Sequence, residues 1–366
     1  MTHAMGRPLP LHRRAVLAAA ASLPFAASAA GAERGRDHLA YVAGDGISVW
    51  RVNSRDGAMV QAGLFAVEAP TALALDGARG VLYVASASKP DGTVAAYAIE
   101  RDTGVLAPLN AVSSRGIAPG HVSLHPSGKF ALVANLEGGI AVLPIDATGA
   151  LGAASDVQAA DGARMAMAAA DPEGRFIVAS DAGRDRILRF TLDLATGRLA
   201  AASEPVASLS GAAPGRFAFR PDGRVLYVLQ QGDGMVVAYD YAPETAAMQA
   251  RQRLPALPPD YAGAFRAVDL ALSPDGRFLY VVLAGHDVLA VFLVGGDGRL
   301  TRIGEAWTEG EEPAGFAFAP DGTMLFACNR RSGAITSFRV NRLSGALDFV
   351  GRYTAVAAPV GILFLG

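Results

Sequence analysis

Five turns constrain what this chain can fold into. A proline, one further residue and a glycine recur at Pro126, Pro172, Pro221, Pro274 and Pro320, spaced 46, 49, 53 and 46 residues apart. Each turn separates two apolar runs, as in "RFAFRPDGRVLYVLQ" and "GFAFAPDGTMLFACN". The leading run alternates with period two, the pattern of a strand with one buried face. Asp-Gly or Ser-Gly between two such runs closes a hairpin. A third run follows ("RILRFTL", "VLAVFLV", "AITSFRV"), often succeeded by a Thr/Ser-Gly turn such as "DLATGRL" or "RDTGVL".

Four antiparallel strands at this period are the signature of propeller blades. A degenerate unit, "TALALDGARGVLYVAS", precedes the series. "HLAYVAGDGISVWRV", near the N-terminus, looks like a second and third strand without a first. "APVGILFL", at the C-terminus, looks like a first strand alone. Joined, the two supply a seventh blade. The expected fold is therefore all-β: a seven-bladed β-propeller of four-stranded antiparallel blades over residues 33–366, closed by pairing N- and C-terminal strands in one blade.

Residues 1–32 are expected to be a signal peptide instead of fold. Arg13-Arg14 stand ahead of "AVLAAAASLPFAA", and "ASAAGA" offers cleavage after Ala29 or Ala32. Paired arginines before a weakly apolar run favour the twin-arginine route, which places the mature protein in the periplasm or outside the cell. No later segment has the apolar length of a membrane span, so no membrane association is expected once the leader is gone. Charged residues make up 18% of the chain and the formal net charge is −2, which argues against a nucleic-acid partner. Lys89 and Lys129 are its two lysines, both beside turns, which leaves little scope for a Schiff-base lysine. The single Cys328 excludes an intrachain disulfide and a multi-cysteine metal site. No cofactor is expected.

In a propeller the first strand of each blade lines the central channel. Five residues before the turn proline, or before Gly77 in the degenerate unit, stand Ala72, His121, Met167, Arg216, Asp269 and Gly315, with Gly361 matching them in the last strand. His121, Arg216 and Asp269 thus share one register on three blades. An imidazole, a guanidinium and a carboxylate at one level of a channel supply a general base, an anion clamp and an orienting acid. Nine residues after the prolines stand Asn135, Asp181 and Asn329, candidates for substrate binding whose competing duty is to close turns on nearby backbone. His125 is expected to pack in its hairpin, His286 to share a turn with Asp287, and Asp185 to pair with Arg186. One histidine and one carboxylate are too small a set for a divalent metal unless Asn135 or Asp181 joins them.

These stretches resemble the lactonase family of seven-bladed propellers, which includes bacterial 6-phosphogluconolactonase. The resemblance covers nearly all of the chain beyond the leader. It is carried by "PGHVSLHPSGKFALVAN", "SDAGRDRILRFTLDLATGRL", "LPALPPDYAGAFRAVDLALSPDGRFLYV", "GHDVLAVFLV" and "PVGILFL". It implies hydrolysis of a lactone, with His121 and Asp269 matching family positions. Departures accompany the match. Ala166 stands where the family has a histidine, Gly215-Arg216 where it has Arg-His, Leu283-Ala284 where it has a polar pair ending in arginine, and Pro313-Ala314 where it has Pro-Arg. Three arginine positions are thus empty. Arginine forks are what would hold a phosphorylated or carboxylated lactone, so the departures point away from 6-phosphogluconolactone and toward a small or neutral, sugar-like lactone. A one-residue shift in an extended strand reverses the face, so Arg216 replaces the family imidazole better than it replaces the arginine lost at Gly215.

Two functions fit. In one, the protein is an exported lactone hydrolase: His121 activates water, Asp269 orients it or takes its proton, and Arg216 steadies the oxyanion. In the other it is a noncatalytic scaffold whose channel or rim binds a ligand or a protein partner.

Overall fold

The alternating runs form 29 strands and no helix among the described residues of a computed structural model, which comprise residues 37–87 and 91–365. The expected leader and Lys89 lie outside them. No helix of the described residues is long and apolar enough to cross a membrane.

The strands make seven antiparallel sheets arranged as blades. In chain order, the first six blades span residues 70–113, 117–158, 165–207, 214–255, 266–307 and 313–355. The seventh takes three strands from residues 37–65 and its innermost strand, Gly361–Leu365, from the other end of the chain. There Gly361–Leu365 runs antiparallel to Asp37–Ala43, from Ala43 opposite Gly361 to Leu39 opposite Leu365. The split unit legible in the sequence is this blade. In the third blade the outer strand is broken into Leu199–Ala201 and Val206–Ala207, both paired to Arg186–Leu192.

The core lies between blades, in seven apolar clusters, one per interface. Phe278, Tyr280 and Phe338 fill the gap between the fifth and sixth blades; Trp50, Phe326 and Phe364 fill that between the sixth and seventh. Each such side chain contributes about 1.5–3 kcal/mol when fully buried, so the ring is held by many similar neighbour-to-neighbour contacts.

The glycine turns before the outer strands have a matching duty. Four fully buried second-strand tyrosines donate across to the glycine carbonyl of the next blade's outer turn: Tyr41 to Gly104 at 3.0 Å, Tyr83 to Gly149 at 2.9 Å, Tyr227 to Gly298 at 2.8 Å and Tyr280 to Gly345 at 2.7 Å. Burial pushes the phenols of Tyr41, Tyr83 and Tyr227 up to about 12. Ser155 and Ser337 make the same reach to Gly197 and Gly57.

One irregularity recurs where it matters for the channel. The innermost strands of the first six blades each slip register near their start, between Pro70 and Ala72, Pro119 and His121, Met165 and Met167, Pro214 and Phe217, Ala267 and Asp269, and Pro313 and Gly315. A bulge adds an unpaired residue and re-aims the side chains beside it.

Candidate active site

All seven residues of the first register line one cavity of about 230 Å³ at the centre of the ring. Around it stand Ala72, His121, Met167, Arg216, Asp269, Gly315 and Gly361, one per blade in ring order. The three candidate side chains, His121, Arg216 and Asp269, are therefore brought to one cavity as the spacing predicts.

Arg216 Nη2 donates to the carbonyl of Gly120 at 2.9 Å. Gly120 belongs to the second blade and Arg216 to the fourth, so the guanidinium reaches past the third blade toward His121. The bulge between Pro214 and Phe217 gives Arg216 this aim, and strict alternation does not describe the segment. Gly215 is held separately. Ser180 Oγ donates to its carbonyl at 2.6 Å, and a Cβ there would lie 2.6 Å from Gln231 Cγ, so glutamine fills the space where an arginine at 215 would start.

His121 Nδ1 is buried and has no hydrogen-bond partner. Burial, and then the positive charge of Arg216, hold the imidazole well below its ordinary pKa, against a hydrogen bond with the Ala168 backbone that favours the charged form. The ring is thus neutral at pH 7 and has a free nitrogen. Asp269 is shifted the other way: burial raises its carboxyl, opposed by Arg216 and by the backbone N–H groups of Leu270 and Phe316. Its Oδ1 accepts the Leu270 N–H at 3.0 Å. Arg216 is the lone cationic side chain of the lining and acts on both titrating partners.

Asn135, Asp181 and Asn329 do not line this cavity. They are fully buried at the ends of their second strands, and each holds the loop that leads into its own blade. Asn135 Nδ2 donates to the carbonyls of Ser114 at 2.9 Å and Gly139 at 3.3 Å. Asn329 Nδ2 donates to the Thr308 carbonyl at 3.1 Å and to Thr336 Oγ1 at 2.9 Å. Asp181 accepts the Arg164 N–H at 3.0 Å and the Arg186 Nε–H at 2.9 Å. The turn-closing duty of these side chains is the one the structure realises.

One local pairing expected from the sequence, Asp185 with Arg186, is replaced by longer-range ones. Arg186 pairs with Asp181, while the Asp185 carboxylate accepts the N–H groups of Gly211 and Ala213, both at 2.7 Å. His286 and Asp287 share a turn as expected, in which Asp287 Oδ1 accepts the Gly285 N–H at 3.0 Å as well as the Glu312 N–H at 3.1 Å; His286 also bonds Glu305 at 3.1 Å and lies 4.4 Å from the Tyr261 ring. His125 packs in its hairpin as expected, against Ser127 Oγ at 2.8 Å, and reaches the Gly174 carbonyl at 2.9 Å. Thr71, a bulge residue that the five-residue register skips, also lines the cavity, and its hydroxyl donates to the Ala85 carbonyl at 3.1 Å and to that of Pro119. No group of three or more His, Cys, Asp or Glu side chains among the described residues is arranged to hold a metal ion.

The model of the family described as "Lactonase, 7-bladed beta-propeller" matches residues 38–364. The chain belongs to this lactonase family. Among its lactonase relatives, a 6-phosphogluconolactonase of Bacillus subtilis is 30% identical over 307 residues, covering 81% of this chain and 87% of the relative. A 6-phosphogluconolactonase of Serratia proteamaculans is 30% identical over 325 residues, 87% of this chain and 95% of the relative. The solved structure of a periplasmic gluconolactonase from Pseudomonas aeruginosa superposes with a TM-score of 0.86 at 24% identity, over 90% of this chain and 99% of that one; this likeness speaks to the fold.

Proposed function

We propose that this lactonase-family propeller is an exported hydrolase that opens an uncharged lactone in its central channel. The observation that carries the reading is the meeting of an imidazole, a carboxylate and one guanidinium in the lining of a single cavity. Relatives named 6-phosphogluconolactonase support the lactone class. The lining argues against the phosphate: it carries one cation and one carboxylate, and Arg216 is already engaged with Gly120. A phosphoryl group of nearly two negative charges would lack the arginine forks it needs and would face Asp269. The Arg13-Arg14 leader supports export.

In this mechanism His121 removes a proton from water as its oxygen attacks the lactone carbonyl carbon. Asp269 orients that water. Arg216 stabilises the oxyanion of the tetrahedral intermediate. Collapse breaks the ring C–O bond, and His121 returns the proton to the departing alkoxide, giving the open hydroxy acid.

The test is a panel of charged and uncharged lactones on the mature protein, followed by acid release at constant pH. Opening of uncharged lactones, lost in His121→Ala, is expected. If no lactone opens faster than in buffer, and His121→Ala changes nothing, the scaffold reading replaces this one.

A further inference from the structure

The cavity wall is lopsided. Met167 and Arg216 occupy one side, with the guanidinium laid across toward Gly120. At the level of the register the opposite side, over the sixth, seventh and first blades, carries Gly315, Gly361 and Ala72, side chains of at most one carbon, while larger side chains of the same blades, Leu73, Phe316 and Ile362 among them, also line the cavity. In ring order, Asp269 stands at one end of this bare arc and His121 at the other.

The two glycines are not there for backbone freedom. Neither Gly315 nor Gly361 has the left-handed φ that excludes other residues. A Cβ on Gly361 would meet nothing within 4 Å, and one on Gly315 would lie 3.5 Å from Asp269 Oδ2 and 3.2 Å from the Val360 carbonyl oxygen. Glycine inside a strand weakens it unless something must approach the backbone closely. At Gly361 no protein atom makes that approach; at Gly315 the Val360 carbonyl oxygen makes it, with the carboxylate proposed to work in the reaction just beyond.

Resting on the hydrolase reading above, we infer that the Gly315–Gly361–Ala72 arc is the substrate subsite. It takes the ring of an uncharged five- or six-membered cyclic ester laid flat against bare backbone. A ring placed there has Asp269 and His121 at its two ends and Arg216 across from it. Gly361 and Gly315 then determine specificity, because a side chain at either position occupies the space of the ring.

The experiment measures turnover of δ-valerolactone and glucono-δ-lactone, and binding of δ-valerolactam, which keeps the ring shape but resists opening. Gly361→Leu is the test variant, since its side chain enters open channel and leaves the blade contacts untouched. Expected are an unchanged or raised melting temperature, at least a tenfold rise in KM and in the lactam Kd, and a larger loss for the substituted lactone. His121→Ala should do the reverse, losing kcat while binding lactam normally. A Gly361→Leu protein with wild-type KM and lactam affinity overturns the inference. Lactam binding that is lost in Gly361→Leu, without turnover of any lactone, upholds the subsite and overturns hydrolysis alone. Absence of both binding and turnover in the wild type overturns both.

Discussion

Replacing Asn135 with alanine separates a structural role from a binding one. The side chain is fully buried and donates to the carbonyls of Ser114, at 2.9 Å, and Gly139, at 3.3 Å. Alanine removes both bonds at ~1 kcal/mol each, and the buried Ser114 carbonyl adds ~1 kcal/mol or more as an unsatisfied acceptor, so a loss of about 3 kcal/mol is expected. The amide also fills the space left by Gly116, where a Cβ would lie 2.6 Å from Asn135 Cγ. Equilibrium unfolding in urea should show an earlier midpoint with an unchanged slope. Asn135→Asp should not rescue, because a carboxylate cannot donate to Ser114. Activity at a temperature where the variant stays folded should keep its KM within twofold. A variant with the wild-type unfolding midpoint and a tenfold higher KM would refute the reasoning and return Asn135 to the substrate.

Three further outcomes follow from the same geometry. Activity should fall as pH drops along a limb set by His121 and lying below the ordinary imidazole value of 6.5, and in Arg216→Met, which removes a repelling charge, a pH–rate profile should show that limb at higher pH. Asp269 has its carboxyl raised above 3.8, so the fold loses stability as pH climbs through that raised value; Asp269→Asn should therefore unfold at a higher urea concentration at pH 7 while kcat falls about 100-fold or more. Tyr280→Phe should cost about 1–3 kcal/mol in the same unfolding assay, since it leaves the Gly345 carbonyl without its 2.7 Å donor.

The repeat, the split blade and the channel register were legible because each is a period in the sequence, and a period survives differences between individual blades. The register placed His121, Arg216 and Asp269 in one cavity from a count of five residues alone. What failed was reasoning that needed local regularity. The bulge before Phe217 leaves no mark in the alternation of "PGRFAF", although the register count still placed Arg216 in the cavity. Asp185 and Arg186 look like a pair because they are adjacent, but Asp185 accepts from a loop 26 and 28 residues later, while Arg186 turns back to Asp181. His286 finds Glu305 on the blade's outer strand, 19 residues on, a partner that only the folded blade supplies. Asn135 and Asn329 share a register nine residues after the turn prolines and so stood as binding candidates beside their turn-closing duty; their partners are loop carbonyls 21 residues upstream.

The pairing that closes the ring also decides where anything attached to the protein must sit. Gly361 and Ala43 face each other at the cavity end of the seventh blade, while Leu39 and Leu365 face each other toward the opposite end. The polypeptide therefore joins and leaves the ring side by side, at the end of the blade away from Ala43 and Gly361. A surface tether, an affinity handle or a fused domain joined at either strand would therefore hang from that same end of the blade, beside the other terminus.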